Sequence, residues 1–102
     1  MSSQPIYVFA KWQVKKDQVN TVLTILKDVT KKTREEKGNI FYKVHQSTAD
    51  ENTIVLYESY TDAQAMEEHR SSDHFQTMVI GKIVPLLDNR EVTVMSALDL
   101  GE

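Results

Sequence analysis

The spacing of apolar residues changes from a period of two to a helical period within the first thirty residues. Between Ile6 and Val14 every second residue is apolar, which predicts a β-strand with one apolar face. The other face of this strand carries Tyr7 and Phe9, so it is half aromatic. From residue 19 onwards, apolar residues recur at the spacing of an amphipathic helix: Val19, Val22, Leu23, Leu26 and Val29.

Polar and glycine residues predict where this first helix begins and ends. Asp17 is the predicted N-cap, because a carboxylate there can accept a backbone N–H of the first turn. Lys31, Lys32 and Arg34 lie near the C-terminal end, where the helix dipole favours positive charge. Gly38 is the predicted glycine just beyond the helix end.

Two strands follow, at residues 40–46 and 53–60, and the polar stretch 47–52 between them predicts a hairpin. The second of these strands is apolar on both faces, since Val55 and Tyr57 alternate with inward residues. A sheet with helices on one side only should have a polar second face. We therefore expect something apolar to cover it, and a second copy of the chain is the simplest cover.

The C-terminal third predicts two helical segments, at 62–70 and 73–84, and a final strand at 91–98. Pro85 ends the second segment, because proline cannot continue a helix. The order β-α-β-β-α-β indicates a ferredoxin-like α+β fold with an antiparallel sheet. At 102 residues, the chain is expected to form one domain spanning 1–102.

Composition excludes several classes of function. The net charge is −3 and the basic residues are scattered, so nucleic acid is not an expected partner. The chain has no cysteine, and its three histidines leave little for a metal site, so no metal is expected. No apolar run approaches the ~20 residues of a membrane span. The segment Met1–Pro5 lacks signal-peptide features, which favours a cytoplasmic location.

Three side chains that can exchange protons cluster around the end of the third strand. Glu58 and Tyr60 are two residues apart, so they share a strand face with Ile54 and Leu56. Among apolar neighbours, a carboxylate is either paired or has a raised pKa, which suits a general base. His69 lies on the apolar side of the next helix and is expected to border the same cavity. Each of the three also has a purely structural interpretation, as a paired or hydrogen-bonded core residue.

The expected walls of that cavity are apolar and aromatic. The candidate substrate-binding residues are Trp12, Tyr42, Phe75, Met78 and Val79. His74 follows Asp73, the predicted N-cap of the second helical segment, and is expected to be exposed or structural. His45 shares a strand face with Phe41 and Lys43 and is expected at a dimer face or a rim. Neither histidine is a predicted catalyst.

A block of spaced residues resembles the antibiotic-biosynthesis monooxygenase family: Glu58, Tyr60, Asp62, Ala65, His69, His74 and Phe75. The resemblance implies a homodimer packed through its sheets, a dimeric α/β barrel. It also implies oxygenase chemistry without metal or organic cofactor, in which a base deprotonates a phenol or quinol and the substrate itself reduces oxygen. His69, Glu58 and Tyr60 are the implied catalytic residues.

The resemblance leaves three functions open. The first is a cofactor-independent monooxygenase of a small aromatic quinol or polyphenol. The second is an isomerase of a small phosphorylated sugar derivative of the autoinducer-2 type, which would need cationic groups at the pocket, such as Lys11, Lys43 or Arg70. The third is a ligand-binding dimer without catalysis. Haem degradation is disfavoured, since the positions that this branch of the family uses hold Ala10, Tyr60 and Val79.

Overall fold

The computed structural model describes residues 4–101 and contains a four-stranded antiparallel sheet with order β2-β3-β1-β4. The regular elements are β1 (Ile6–Val14), α1 (Val19–Arg34), β2 (Asn39–Gln46), β3 (Thr53–Tyr60), α2 (Ala63–Ser71), a π-helix (Phe75–Ile83), a 3₁₀ turn (Val84–Leu86) and β4 (Leu87–Met95). This is the predicted ferredoxin-like α+β fold. Residues 1–3 and 102 of the predicted domain, and hence most of the segment Met1–Pro5, fall outside the described residues.

One face of the sheet forms the core with the helices, because the strand and helix periods bring their apolar sides together. β1 and β3 contribute alternate residues, as the sequence predicts, and α1 contributes residues one turn apart. The buried cluster consists of Ala10, Trp12, Val14, Val19, Val22, Leu26, Val29, Tyr42, Ile54, Leu56, Val79 and Ile83. The helices therefore cover one side of the sheet, and the side chains that line the site described below lie between these layers.

The opposite face of the sheet carries a group of aromatic side chains. Tyr7, Phe41 and Tyr57 lie in adjacent strands, and their ring centroids are 5.0 to 6.3 Å apart. Phe9 follows along β1 and is 39 % exposed. The ammonium group of Lys43 lies 5.0 Å from the centre of the Phe41 ring. The two-sided apolarity that the sequence indicates is thus present, and this aromatic face has no helix over it in residues 4–101.

The last strand begins four residues earlier than predicted. It runs from Leu87 to Met95, with Leu87 paired to Val14, whereas the sequence pattern placed it at 91–98. The polar residues at 88–90 look like a turn in the sequence. They are tolerated here because β4 is an edge strand, exposed along most of its length.

The predicted helix caps are partly wrong. Asp17 has a φ of 68°, in the left-handed region, and α1 begins without a side-chain cap. Asp62 caps α2 by accepting the N–H of Ala65 at 2.8 Å. Ser72, not Asp73, accepts the N–H of Phe75 at the start of the second helical segment. That segment is mostly π-helical, with i→i+5 bonding, rather than an ordinary α-helix.

Gly38 is not the residue that ends α1, since the helix stops at Arg34. Its role is close packing. A Cβ atom at position 38 would lie 2.4 Å from the Cβ of Ala65, and the carbonyl of Gly38 accepts the N–H of Thr61 at 2.9 Å. This contact seats the start of α2 against the chain that leads into β2, and α2 carries His69.

No helix in residues 4–101 is long and apolar enough to cross a membrane.

We predict that Gly38→Ala destabilises the protein by about 1–3 kcal/mol, because the added methyl group overlaps Ala65. Urea unfolding measures this difference. In the double variant Gly38→Ala/Ala65→Gly the overlap is removed, so its loss of unfolding free energy should be smaller than the sum of the two single losses by at least about 1 kcal/mol. Strictly additive single effects would show that the two positions do not collide.

Candidate active site

The inner face of β3 holds a carboxylate beside a phenol. Glu58 pairs across the sheet with Val8 and Tyr42, so its side chain is directed into the layer between sheet and helices. The hydroxyl of Tyr60 donates a hydrogen bond of 2.7 Å to Oε1 of Glu58. Both side chains are buried. The two-residue spacing that the sequence shows therefore becomes a hydrogen-bonded pair within the protein.

Burial sets the protonation of this pair. Burial raises the pKa of Glu58, while the hydrogen bond from Tyr60 and the nearby His69 partly oppose that rise. Burial and the adjacent Glu58 together raise the pKa of Tyr60 far above the ordinary value for tyrosine. Burial also raises the pKa of Tyr42. Both phenols therefore remain protonated across the neutral range, and Tyr60 donates its hydrogen to Glu58.

His69 reaches this pair from α2. It is 5 % exposed, and its Nε2 lies 3.9 Å from Oε1 of Glu58. Its ring is 5.0 Å from the Tyr60 ring and 5.1 Å from the Phe75 ring, measured between centroids. A separation of 3.9 Å is too long for a direct hydrogen bond. A substrate hydroxyl can instead sit about 2.8 Å from both atoms and donate its one hydrogen to either of them.

The other nitrogen of His69 has a carboxylate partner that sequence reasoning missed. Nδ1 lies 2.8 Å from Oε2 of Glu36, a residue just after α1. An ionised carboxylate only accepts hydrogen bonds, so Nδ1 of His69 must carry the proton. In the neutral imidazole, Nε2 is then the unprotonated nitrogen, and it is the one on the Glu58 side.

The same carboxylate oxygen has a second histidine partner. Nε2 of His74 lies 2.6 Å from Oε2 of Glu36 and 3.3 Å from the hydroxyl of Ser72. Ser72 also donates to the carbonyl of His69 at 2.6 Å, which fixes the turn between the two histidines. His74 is thus half-buried and paired, which corrects the expectation of an exposed residue and extends the structural one.

A cavity of about 360 Å³ lies between the sheet and the helices, a size typical of small-molecule sites. The three predicted catalytic residues, Glu58, Tyr60 and His69, border it together. The predicted wall residues Trp12, Tyr42, Phe75 and Val79 border it too, beside Val8, Ala10 and Met66. Their catalytic and binding roles stay predictions.

Met78 is the exception among the predicted wall residues. It does not line the cavity and packs against the buried core instead. The π-helix explains the difference: its wider turn keeps Phe75 and Val79, four residues apart, on the cavity side and turns Met78 away.

Two guanidinium groups also border the cavity. Arg70, which follows His69 on α2, lies 3.5 Å from the carboxylate of Glu67, and both side chains are well exposed. Arg90 comes from the edge strand β4, next to Val92, which lines the cavity as well. The cavity therefore combines an apolar and aromatic wall, an acid–base cluster at one side, and positive charge.

We predict that Glu58→Gln stabilises the protein increasingly as the pH rises above the ordinary glutamate value. Because the folded state raises the pKa of Glu58, its contribution to stability is greatest at low pH and is lost as the pH rises through the folded pKa. Each unit of that rise is equivalent to about 1.4 kcal/mol. Urea unfolding of both proteins at pH 4 and pH 7 measures the change, and a difference independent of pH would contradict it.

Comparisons with known proteins agree on one family. Residues 5–79 match the family described as "Antibiotic biosynthesis monooxygenase". A Mycobacterium tuberculosis protein named "Putative monooxygenase Rv0793" is 30 % identical over 99 residues, which are 95 % of each chain. A Bacillus subtilis protein named "Putative monooxygenase YcnE" is 31 % identical over 67 residues, covering 66 % of this chain and 70 % of that protein.

Solved structures share this fold. The structure of Rv0793 superposes with a TM-score of 0.86 at 28 % identity, covering 96 % of this chain and 99 % of the other. A conserved protein from Methanosarcina mazei Go1 gives a TM-score of 0.85 at 28 % identity over 90 % and 91 % of the two chains. With the fold, the matched residues and these relatives in agreement, the chain belongs to the antibiotic biosynthesis monooxygenase family.

Proposed function

We propose that this protein is a cofactor-independent monooxygenase that acts on a small aromatic quinol or polyphenol. The observation that carries the proposal is the orientation of His69: Glu36 binds Nδ1 at 2.8 Å, and Nε2 is left as an acceptor beside an aromatic cavity. Membership of the family supports oxygenase chemistry, and the cavity's size and aromatic walls support a small aromatic guest.

In this proposal His69 is the general base. A quinol hydroxyl placed near Nε2 of His69 and Oε1 of Glu58 transfers its proton to His69, whose positive charge is stabilised by Glu36 on the other side. The resulting quinolate is electron-rich and reduces oxygen. Tyr60, held protonated by burial, keeps Glu58 in place through its 2.7 Å bond. The apolar walls exclude water from the reacting oxygen atoms.

The electrons balance without an added reductant. A quinol and O₂ give a hydroxyquinone and one water molecule, so one oxygen atom enters the ring and the other leaves as water. The four electrons that dioxygen accepts all come from the substrate. The protein therefore needs to supply only a base, a binding cavity and hydrogen-bond donors.

A second candidate function is favoured by Arg70 and Arg90. Guanidinium groups are suited to binding phosphate, and both border the cavity. This supports isomerisation of a small phosphorylated diketone of the autoinducer-2 type, with the same histidine moving a proton between carbons. Oxygen uptake with a panel of reduced quinones, without added metal or flavin, distinguishes the two enzymes. Turnover of a phosphorylated diketone without oxygen uptake would overturn the oxygenase proposal, and ligand binding without turnover of either substrate would leave only a binding role.

The aromatic face of the sheet supports a further part of the proposal, that two copies of the chain pack through this face. It presents Tyr7, Phe9, Phe41 and Tyr57 on the side away from the helices. An aromatic surface of this kind, rimmed by polar residues, marks a contact site in soluble proteins. Two identical faces related by a twofold axis would cover each other.

We predict that Glu36→Gln and His69→Gln each lower kcat by about 10²- to 10⁴-fold, the usual contribution of a general base. Glutamine preserves hydrogen bonding at both positions, so folding is better conserved than with alanine. His45→Ala is the matched control, because His45 lies outside the cavity and, within residues 4–101, its ring bonds only to the carbonyl of Val55. Steady-state oxygen uptake measures the rates, and wild-type rates in both glutamine variants would contradict the assignment of the base.

We predict that the wild-type chain sediments at micromolar concentration with twice its 11.7 kDa mass. Phe9→Glu should shift it to the monomer, since the new charge would be buried at the contact. Thr24→Glu adds the same charge on an exposed site of α1, on the other side of the sheet, and should leave the dimer intact. A monomeric wild-type protein, or equal effects of the two variants, would overturn the proposed contact.

A further inference from the structure

We propose that Glu36, His69 and His74 form a binding site for a divalent transition-metal ion. Each offers one ligand atom, and all of these atoms lie within 4.8 Å of one another. Two imidazole nitrogens and a carboxylate oxygen are the donor set of zinc sites that keep a fourth position open for water. The sequence has only three histidines and did not predict such a site. The fold brings His69 and His74 together with Glu36.

The cluster is held in place before any ion binds. Oε2 of Glu36 lies 2.8 Å from Nδ1 of His69 and 2.6 Å from Nε2 of His74. Ser72 fixes the backbone between the histidines through its bonds to the carbonyl of His69 and the N–H of Phe75. Ligands that are ordered in advance lose little conformational freedom when an ion arrives.

Charge and space also suit a cation. With neutral histidines the cluster carries the single negative charge of Glu36, and the chain has no cysteine to compete for the ion. Around an ion with bonds of about 2.0–2.2 Å, ligand atoms stand about 3.4 Å apart. The Glu36 oxygen must therefore move several tenths of an ångström away from each of the two histidine nitrogens, which now lie 2.8 and 2.6 Å from it. Glu36 and His74 are 18 % and 14 % exposed, so they have room to do so and leave a path for the ion.

A second carboxylate, that of Glu58, lies close to His69, one of the proposed metal ligands. Nε2 of His69 is on the far side of the ring from Glu36 and lies 3.9 Å from Glu58. A metal-bound histidine whose other nitrogen faces a carboxylate is the usual arrangement in metal sites, because the carboxylate orients the ring and strengthens its donor nitrogen. A small closing movement of Glu58 would complete that bond.

The ion would lie outside the cavity. His69 borders the cavity, whereas Glu36 and His74 do not, so an ion between them sits behind the imidazole and does not touch substrate. Coordination at Nδ1 requires the other neutral tautomer of the ring, in which the single ring proton has moved from Nδ1 to Nε2. The nitrogen facing the substrate becomes a donor instead of an acceptor. If His69 is the general base, as in the proposed function, the bound ion is therefore an inhibitor; the metal site itself does not depend on that function.

The test of binding uses tag-free protein and Zn²⁺. Competition with a chromogenic chelator measures affinity, and the absorption of bound Co²⁺ reports the ligand set. We expect one equivalent of Zn²⁺ per chain, and at least about tenfold weaker binding in His74→Ala and Glu36→Gln, since even loss of an outer partner costs 10- to 100-fold. His45→Ala, which removes the third histidine, should bind as the wild type does. Binding that is absent, or reduced as much by His45→Ala as by His74→Ala, overturns the site.

The test of inhibition is separate. One equivalent of Zn²⁺ should lower kcat of the wild type at least about tenfold, and should change the rate of His74→Ala far less, whatever its rate without zinc. Binding at this site without inhibition would leave the metal site standing and overturn the role of Nε2 of His69 as the base. Equal inhibition of both proteins would show that zinc acts elsewhere.

Discussion

The candidate site depends on the hydrogen bonds that the carboxylate of Glu36 makes with two histidines. Glu36 lies just beyond α1, and it binds a histidine from α2 and another from the turn before the π-helix. Three helical segments are therefore joined at one oxygen atom. The same contact decides which nitrogen of His69 carries a proton, so an element of tertiary structure also sets the chemistry of the proposed base. Without it, the hydrogen bond that sets the tautomer of His69 would be lost.

Two packing contacts bring the residues of the candidate site together. Gly38 permits the close approach of Ala65, which seats α2 beside the chain entering β2. The inner face of β3 then presents Glu58 and Tyr60 to the helix that carries His69. The core holds these polar groups because each is bonded: Tyr60 to Glu58, and His69 to Glu36. Burial raises the pKa of Glu58, so keeping this carboxylate ionised in the core lowers the stability of the protein.

Local patterns were enough to predict much of this arrangement. Alternation along β1 and the helical period of α1 predicted both elements and their buried faces, since each period repeats over several residues. The two-residue spacing of Glu58 and Tyr60 placed them on one face. What local patterns could not supply is the partner of His69. Glu36 stands in the charged segment after α1, 33 residues from His69 in the chain, and nothing in its neighbourhood distinguishes it from a solvated residue.

Two of the other errors have the same origin, because each depends on contacts distant in sequence. The π-helix, which removes Met78 from the cavity, packs against α1, which is more than 40 residues earlier in the chain. The start of β4 depends on pairing with β1, since residues 88–90 are polar and have no strand-like pattern of their own. The cap at Ser72 instead of Asp73 is a local exception, because backbone geometry selects one of two neighbouring residues that could each have served.

Nitrogen NMR of the histidine rings tests the central claim most directly. The chain has only three histidines, so the variants His45→Ala and His74→Ala assign every ring. At neutral pH, the account predicts that His69 carries its proton on Nδ1 and has an unprotonated Nε2, and that Glu36→Gln disturbs this preference. A ring protonated on Nε2 in the wild-type protein, or a tautomer unaffected by Glu36→Gln, would contradict it.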